Sequence, residues 1–323
     1  MCTAISFLSK NHYFGRNLDF EYSYNERITI TPRSFPLRFR KKATITNHYA
    51  IIGMATVDCG YPLYFDGTNE CGLSMAGLYF PGNAVYLPEA QGKDNITPFE
   101  FIPWILAQCK NINEAVAAVQ NINLVKIPYN DKYPLSPLHW IIADRESSVT
   151  VEPAKNGVEI YNNPVGVLTN NPPFKFHLHN LANYINLTRD EPTNRFAQEL
   201  EIKPYSKGMG AIGLPGDLSS ASRFVRAAFT KLNSVCKPSE SSSVSQFFHI
   251  LDSVAQFRGC VKTADGYEKT IYSSCCNTDE GIYYYKTYEN SQITGVSLNN
   301  TELNGSKLLE FPLVIGQNFR MEN

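Results

Sequence analysis

Cys2-Thr3-Ala4-Ile5-Ser6-Phe7-Leu8, followed by His12-Tyr13-Phe14-Gly15-Arg16-Asn17-Leu18-Asp19-Phe20, is the stretch that decides the fold. Both segments alternate polar with apolar residues, and the short Ser9-Lys10-Asn11 connection makes them antiparallel neighbours. Such a hairpin returns residues 16–19 to the neighbourhood of residue 2. Initiator methionine is commonly trimmed when a small residue such as Cys2 follows. Its removal leaves one residue with both a thiol and an α-amine. The reference pKa of that amine, about 7.7–8.0, suits it to take a thiol proton near neutral pH. A nucleophile activated by an N-terminal amine is an established arrangement, although a lone near-terminal cysteine does not by itself announce one. Arg16 would favour thiolate over thiol, and Asp19 could accept a hydrogen bond from the amine. The spacing equally allows an exposed salt bridge on a hairpin.

Outward from this hairpin, strand patterns continue at 27–33, 48–57 and 72–80. Thr97-Pro98-Phe99-Glu100 and Asn111-Ile112-Asn113-Glu114 carry capping boxes, so helices are expected over about 98–109 and 112–121. Leu138 to Pro153 reads as a hairpin turning near 146–148, followed by strands at 157–163 and 166–170. Helices are expected at about 176–187, 220–234 and 244–256, with strands again at 269–277 and 281–288. Residues 188–218 form a long irregular stretch, unusual inside a compact domain and therefore read as an insertion with a purpose. The Ser-rich 239–245 segment reads as a loop running into a cap. Blocks of strands and helices that do not alternate one for one favour an α+β fold with packed antiparallel sheets, in a single domain spanning 1–323.

Composition narrows the function. A chain of 323 residues with 43% hydrophobic and 18% charged residues has enough apolar material for a sizeable core. A net charge of −1 gives no electrostatic case for nucleic acid or an anionic membrane. Nineteen Tyr and nineteen Phe suit apolar pockets as well as cores. The N-terminus lacks the apolar core of a signal peptide, and the eight cysteines are irregularly spaced without a C-x-x-C pair. A reducing cytoplasm is the expected location.

Four local signals lose force in context. Gly208-Met209-Gly210-Ala211-Ile212-Gly213 has the dinucleotide spacing, but Leu214-Pro215-Gly216 breaks the helix such a site needs. His177 and His179 diverge on a helix and read as surface residues. Spacing leaves a Cys109–His139 pair open, yet Cys109 falls on the apolar side of a helix, where thiols are inert. Asn186-Leu187-Thr188 has the form of a glycosylation sequon, of no consequence in a cytoplasmic protein.

Met1-Cys2-Thr3 with Gly15-Arg16-Asn17-Leu18-Asp19-Phe20 resembles the opening of the choloylglycine hydrolase family, the bile salt hydrolases and penicillin V acylases. The resemblance continues, in family order, through Asn69-Glu70-Cys71-Gly72-Leu73, Ala76-Gly77-Leu78-Tyr79, Leu168-Thr169-Asn170-Asn171-Pro172 and Ser219-Ser220-Ala221-Ser222-Arg223-Phe224. It implies an N-terminal-nucleophile hydrolase fold, an αββα sandwich of two antiparallel sheets between helical layers. It also implies roles. Cys2 is the nucleophile and its α-amine the base; Arg16 and Asp19 surround it; Asn170 donates to the tetrahedral oxyanion; Arg223 lies near the nucleophile, with Arg226 as a second candidate. Bile salt hydrolases resembling this chain usually carry Asn where Tyr79 stands, whereas penicillin V acylases carry Tyr. Residue 79 thus bears on the oxyanion and on substrate choice.

The implied reaction is hydrolysis of a linear amide through a thioester, without metal or organic cofactor. The substrate is a small molecule with a bulky apolar acyl group, a steroid acid or a phenoxyacetyl group. Phe20, Tyr24, Tyr61, Phe65, Tyr129 and Tyr133 are the candidate walls of its pocket. The resemblance further implies a homotetramer in which 188–218 reaches a neighbouring subunit. The reading from a different class is a non-catalytic homologue with the same fold.

Overall fold

The computed structural model describes residues 1–323. Two antiparallel sheets face each other. The N-terminal sheet runs, in spatial order, Val167–Leu168, β1 (Cys2–Leu8), β2 (His12–Phe20), Tyr267–Asn277, Ile282–Thr287 and Asn290–Ser297. The second sheet runs Gly157–Asn162, Ser148–Ala154, Leu138–Ala143, Ser74–Tyr79, Tyr61–Asn69, Ile51–Asp58, Arg27–Thr31 and Leu309–Pro312. Helices α1 (Phe101–Gln108) and α2 (Ile112–Asn121) cover the outer face of the second sheet. A short α3 (Phe174–Asn180) leads toward α4 (Ser220–Asn233) and α5 (Glu240–Asp252), which cover the outer face of the N-terminal sheet.

Period-two alternation explains the layering. Ile28, Ile30, Ile52, Met54, Ile141 and Ala143 point between the sheets, into the same core as Ala4, Phe14 and Tyr272. Their strand neighbours Ile51, Ala55, Trp140 and Ile142 point the other way and pack with Phe101, Ile105 and Leu106 of α1. Each sheet is therefore apolar on both faces, the condition for an αββα sandwich. Gly15 shows how tightly β2 is held, because a Cβ there would lie 2.0 Å from the carbonyl oxygen of Ser274.

The expected helices at 112–121 and 220–234 match α2 and α4 closely. Asn111 caps α2, its Oδ1 accepting from the Glu114 amide at 3.0 Å. The 98–109 helix opens as a 3₁₀ turn, Pro98–Glu100, before α1, and the Thr97 amide donates to Glu100 Oε2 at 3.1 Å. Two expectations shift. The helix expected over 176–187 is α helical only to Asn180 and continues as a 3₁₀ turn, Leu181–Tyr184. The Ser-rich segment is not a loop: Ser239 is the N-cap of α5, and 240–245 form its first turns. The strands Tyr61–Asn69, Asn290–Ser297 and Leu309–Pro312 were not expected. The first carries Pro62, Asp66 and Gly67, which disguise a central strand. Residues 188–218 contain no strand and one 3₁₀ turn, Met209–Ala211, so the glycine-rich spacing opens no helix. No helix is long and apolar enough to cross a membrane.

Candidate active site

The register of the first hairpin builds the site. Cys2 pairs with Leu18 and Ala4 with Arg16, so these four side chains share the face directed at the second sheet. Thr3, Asn17 and Asp19 alternate to the face covered by helices. There, Asn17 Nδ2 donates to the Leu251 carbonyl at 2.9 Å, and Thr3 Oγ1 accepts from Arg223 Nη1 at 2.6 Å. Val167–Leu168 pairs with β1 on its other side, opposite Ala4 and Ile5, which delivers Thr169-Asn170 to the Cys2 end.

Asn170 is held on every polar atom. Its Oδ1 accepts from the Cys2 amide at 2.7 Å and from Arg223 Nη2 at 2.8 Å. Its Nδ2 donates to the Tyr79 carbonyl at 2.7 Å. Its backbone amide donates to Ser220 Oγ at 2.8 Å, and its carbonyl accepts from His177 Nε2 at 2.9 Å. Arg223, fully buried near the start of α4, also donates Nη1 to the Cys2 carbonyl at 2.5 Å. Arg226 is engaged elsewhere, by the carbonyls of Ser253, Pro215 and Asp217.

Arg16 is fully buried and crosses to the second sheet, donating Nη1 to the carbonyls of Phe65 at 3.1 Å and Gly77 at 2.5 Å. Burial opposes its charge, but Cys2, Tyr272, Asp66 and Asp19 around it more than offset this and hold it cationic. The contact expected of Asp19 is with the α-amine of Cys2, which is a peptide nitrogen while Met1 is present and donates to Asn170 Oδ1. The Met1 α-amine donates to the Asp19 backbone carbonyl at 2.8 Å and pairs with Glu268, not with the Asp19 side chain. Asp19 Oδ1 instead accepts from Thr270 Oγ1 at 2.6 Å, and Oδ2 stands 3.9 Å from Arg223 Nη1. Burial raises the Asp19 carboxyl against the pull of Arg223. Burial likewise lowers the α-amine.

Cys2, 4% exposed, lies at the floor of a cavity of about 280 Å³. Phe20, Tyr24, Phe65, Tyr129 and Tyr133 line it as expected, and Tyr79 enters with a side chain 45% exposed. Tyr61 does not line the cavity. It stands behind the wall, its ring centroid 6.0 Å from Tyr129 and 6.1 Å from Phe99. Lys132 on the rim and Arg16 on the floor are the cations of the lining.

Sequence reasoning missed the residues behind the site. His177 is not a surface histidine: it is fully buried against Asn170, whereas His179 is exposed. His139 has its ring nitrogens on Glu152 at 3.1 Å and on the Thr169 carbonyl at 2.8 Å, so it braces Asn170 from below and makes no pair with Cys109. Cys109 is buried with α1 in the outer core. Glu268 and Asp66 were also missed. A buried carboxylate inside a strand leaves no pattern, although Asp66 three residues before the Asn69 block was a polar interruption worth weighing.

Comparison with known proteins agrees with this geometry. Residues 2–311 match the linear amide C-N hydrolases, choloylglycine hydrolase family. The chain is 55% identical to a bile salt hydrolase/transferase of Lactiplantibacillus plantarum, over 97% of both chains. It is 39% identical to a bile salt hydrolase/transferase of Clostridium perfringens over 95% of each. Its backbone superposes on a crystallised variant of the conjugated bile acid hydrolase from Clostridium perfringens with a TM-score of 0.92, at 36% identity and full coverage of both chains. Penicillin V acylase from Agrobacterium tumefaciens shares the fold, with a TM-score of 0.75 at 18% identity over 97% of this chain and 92% of that one.

Proposed function

The chain belongs to the choloylglycine hydrolase family of linear amide C-N hydrolases, and on that footing we propose that it cleaves glycine- or taurine-conjugated bile acids, using Cys2 once Met1 is removed. The observation that carries this reading is Cys2 on the floor of an aromatic cavity, its backbone nitrogen on Asn170 and its carbonyl on Arg223. The likeness to bile salt hydrolases across 97% of the chain supports the substrate class.

In the proposed reaction the Cys2 α-amine takes the thiol proton, and the thiolate attacks the amide carbon. Negative charge develops on the former carbonyl oxygen and is met by the Asn170 Nδ2 hydrogen not committed to Tyr79. Collapse breaks the C–N bond, and the ammonium returns its proton to the leaving amine. Water, deprotonated by the same amine, attacks the thioester and frees the bile acid and the thiol. Once Met1 is gone the amine is the buried Cys2 nitrogen beside Asn170 Oδ1, and burial favours its neutral form, which suits a base at neutral pH. The aromatic walls take the steroid body.

A second reading, a penicillin V acylase-type hydrolase, is favoured by one observation: Tyr79 presents its ring to the cavity. Assembly as a homotetramer through 188–218 is supported by exposed aromatics there, Phe196 and Tyr205, each 86% exposed. Eight free cysteines fit a reducing cytoplasm. The test is kcat/KM for glycocholate, taurocholate and penicillin V on protein verified to begin at Cys2. Preference for a bile conjugate is expected. Cleavage of penicillin V alone moves the assignment to the second reading, and cleavage of none of the three makes the chain a non-catalytic homologue.

A further inference from the structure

Arg16 and Asp66 are both enclosed between the sheets and cross the interface in opposite senses. Arg16 reaches from β2 to the carbonyls of Phe65 and Gly77 in the second sheet. Asp66, next to Phe65, reaches back: its Oδ2 accepts from the Tyr272 hydroxyl at 2.7 Å and its Oδ1 from the Tyr283 hydroxyl at 2.5 Å. Arg16 and Tyr272 are fully buried, and Asp66 and Tyr283 are 1% exposed. The strand carrying Tyr272 is fastened to β2 at this level, where the Arg16 amide donates to Ser274 Oγ at 3.1 Å.

A guanidinium keeps its proton in a protein, so its charge has to be balanced inside the fold. Every hydrogen-bond partner of the Arg16 side chain is a neutral backbone carbonyl, and its Nη2 has none. Asp19 stands on the opposite face of β2, engaged by Thr270 and facing Arg223. Asp66 is the buried carboxylate on Arg16's own side. Two phenols donating to different oxygens describe an acceptor-only, ionised carboxylate. The two fully buried arginines thus each face a buried carboxylate, Arg223 with Asp19 outside the sheet and Arg16 with Asp66 inside it.

We propose that Asp66, held by Tyr272 and Tyr283, is the counter-charge of Arg16: it positions the guanidinium beside Cys2 and withholds part of its field from the thiol. The proposal rests on the reading of Cys2 as nucleophile. Cys2 shares its face with Arg16 and meets Tyr24 and Tyr79 across the cavity; Asp19 and Arg223 lie behind it on the other face, with the α-amine and Glu268 at the chain end. Asp66 is faced by Arg16, the two tyrosines and the Cys276 thiol, with Glu26 beyond Tyr272. Burial pushes the Asp66 carboxyl up, while Arg16 and the phenols pull it down.

The test is the pH dependence of Cys2 alkylation by iodoacetamide, read on the N-terminal peptide by mass spectrometry from about pH 5 to 9. In Asp66→Asn the guanidinium loses its counter-charge, so the thiolate is favoured and the alkylation midpoint falls by about half a unit to one unit. Hydrolysis falls too, about tenfold or more, because Arg16 is no longer anchored. Arg16→Gln moves the midpoint the other way. A folded Asp66→Asn protein with an unmoved midpoint overturns the proposal, since a purely structural carboxylate changes yield or Tm only. If Asp66→Asn does not fold, Tyr272→Phe with Tyr283→Phe weakens the ionised carboxylate and must shift the midpoint in the same direction; no shift overturns the proposal equally. Full hydrolysis by Cys2→Ser is a different failure, because it removes the nucleophile on which the proposal stands.

Discussion

Asn170 and Arg223 meet through the Asn170 side-chain oxygen, 2.8 Å from Arg223 Nη2, and this contact decides which end of the amide faces the cavity. The same oxygen accepts from the Cys2 backbone nitrogen, so Nδ2 is turned toward Tyr79 and the substrate space. An arginine from α4 thereby orients an amide delivered by the strand beside β1.

Truncating that amide has two separable consequences. Asn170→Ala removes the oxyanion donor and is expected to lower kcat by about 10²–10³ with little change in KM. It also strands the buried Arg223 Nη2 and the Cys2 nitrogen without an acceptor, at about 1–3 kcal/mol of stability. Steady-state kinetics with a urea titration checks both. An unchanged kcat removes Asn170 from the oxyanion site.

Met1 is the second lever. Its carbonyl accepts from the Asp19 amide at 2.9 Å, and its amine donates to the Asp19 carbonyl and pairs with Glu268. Both ends of the residue are engaged, and Cys2 has no free amine while it remains. Specific activity is expected to scale with the fraction of chains that begin at Cys2, read from intact mass. Activity in a preparation wholly retaining Met1 would show that the α-amine is not the base.

Much of this was legible before any coordinate. Period two in β1 and β2 predicted the hairpin, and the hairpin placed Arg16 and Asp19 at the Cys2 end, as observed. Alternation says which residues share a face but not which helix or sheet will cover it. The Asp19 carboxylate faces Arg223, a partner from α4 that spacing on the hairpin does not announce. His139, His177 and Asp66 act through contacts between segments distant in sequence, and no local spacing records those. Tyr61 fails as a wall for a related reason: Phe99 and Tyr129, both distant in sequence, pack against its ring and line the cavity themselves.

Tyr79 contributes to the site twice, by its backbone carbonyl to Asn170 and by its ring to the cavity. Tyr79→Asn keeps the first and removes the second. Hydrolysis is expected to persist within about tenfold, while the ratio of kcat/KM for taurocholate over penicillin V rises. An unchanged ratio would place substrate choice elsewhere in the cavity.

Acid should weaken the fold through its buried histidines. Burial lowers His12 to about 4, against the opposing pull of Asp279 and Asp144, and lowers His177 to about 4 as well. His12 sits between Ser6 Oγ at 2.9 Å and Thr278 Oγ1 at 2.8 Å, and His177 supports the Asn170 carbonyl. An unfolded histidine takes its proton near pH 6.5 and these take theirs only near 4, so between the two the unfolded chain binds more protons. The stabilisation is complete above pH 6.5 and is lost as pH falls toward 4, by about 3 kcal/mol for each histidine. Asp19, Asp66 and Glu100, raised by burial, act with the opposite sign, so the informative quantity is a difference between proteins. Urea titrations of the wild type and His12→Gln across this window should give a shallower loss for the variant, whatever its stability at pH 7. Parallel curves would mean that His12 is protonated in the folded state, at odds with its burial between two hydroxyls.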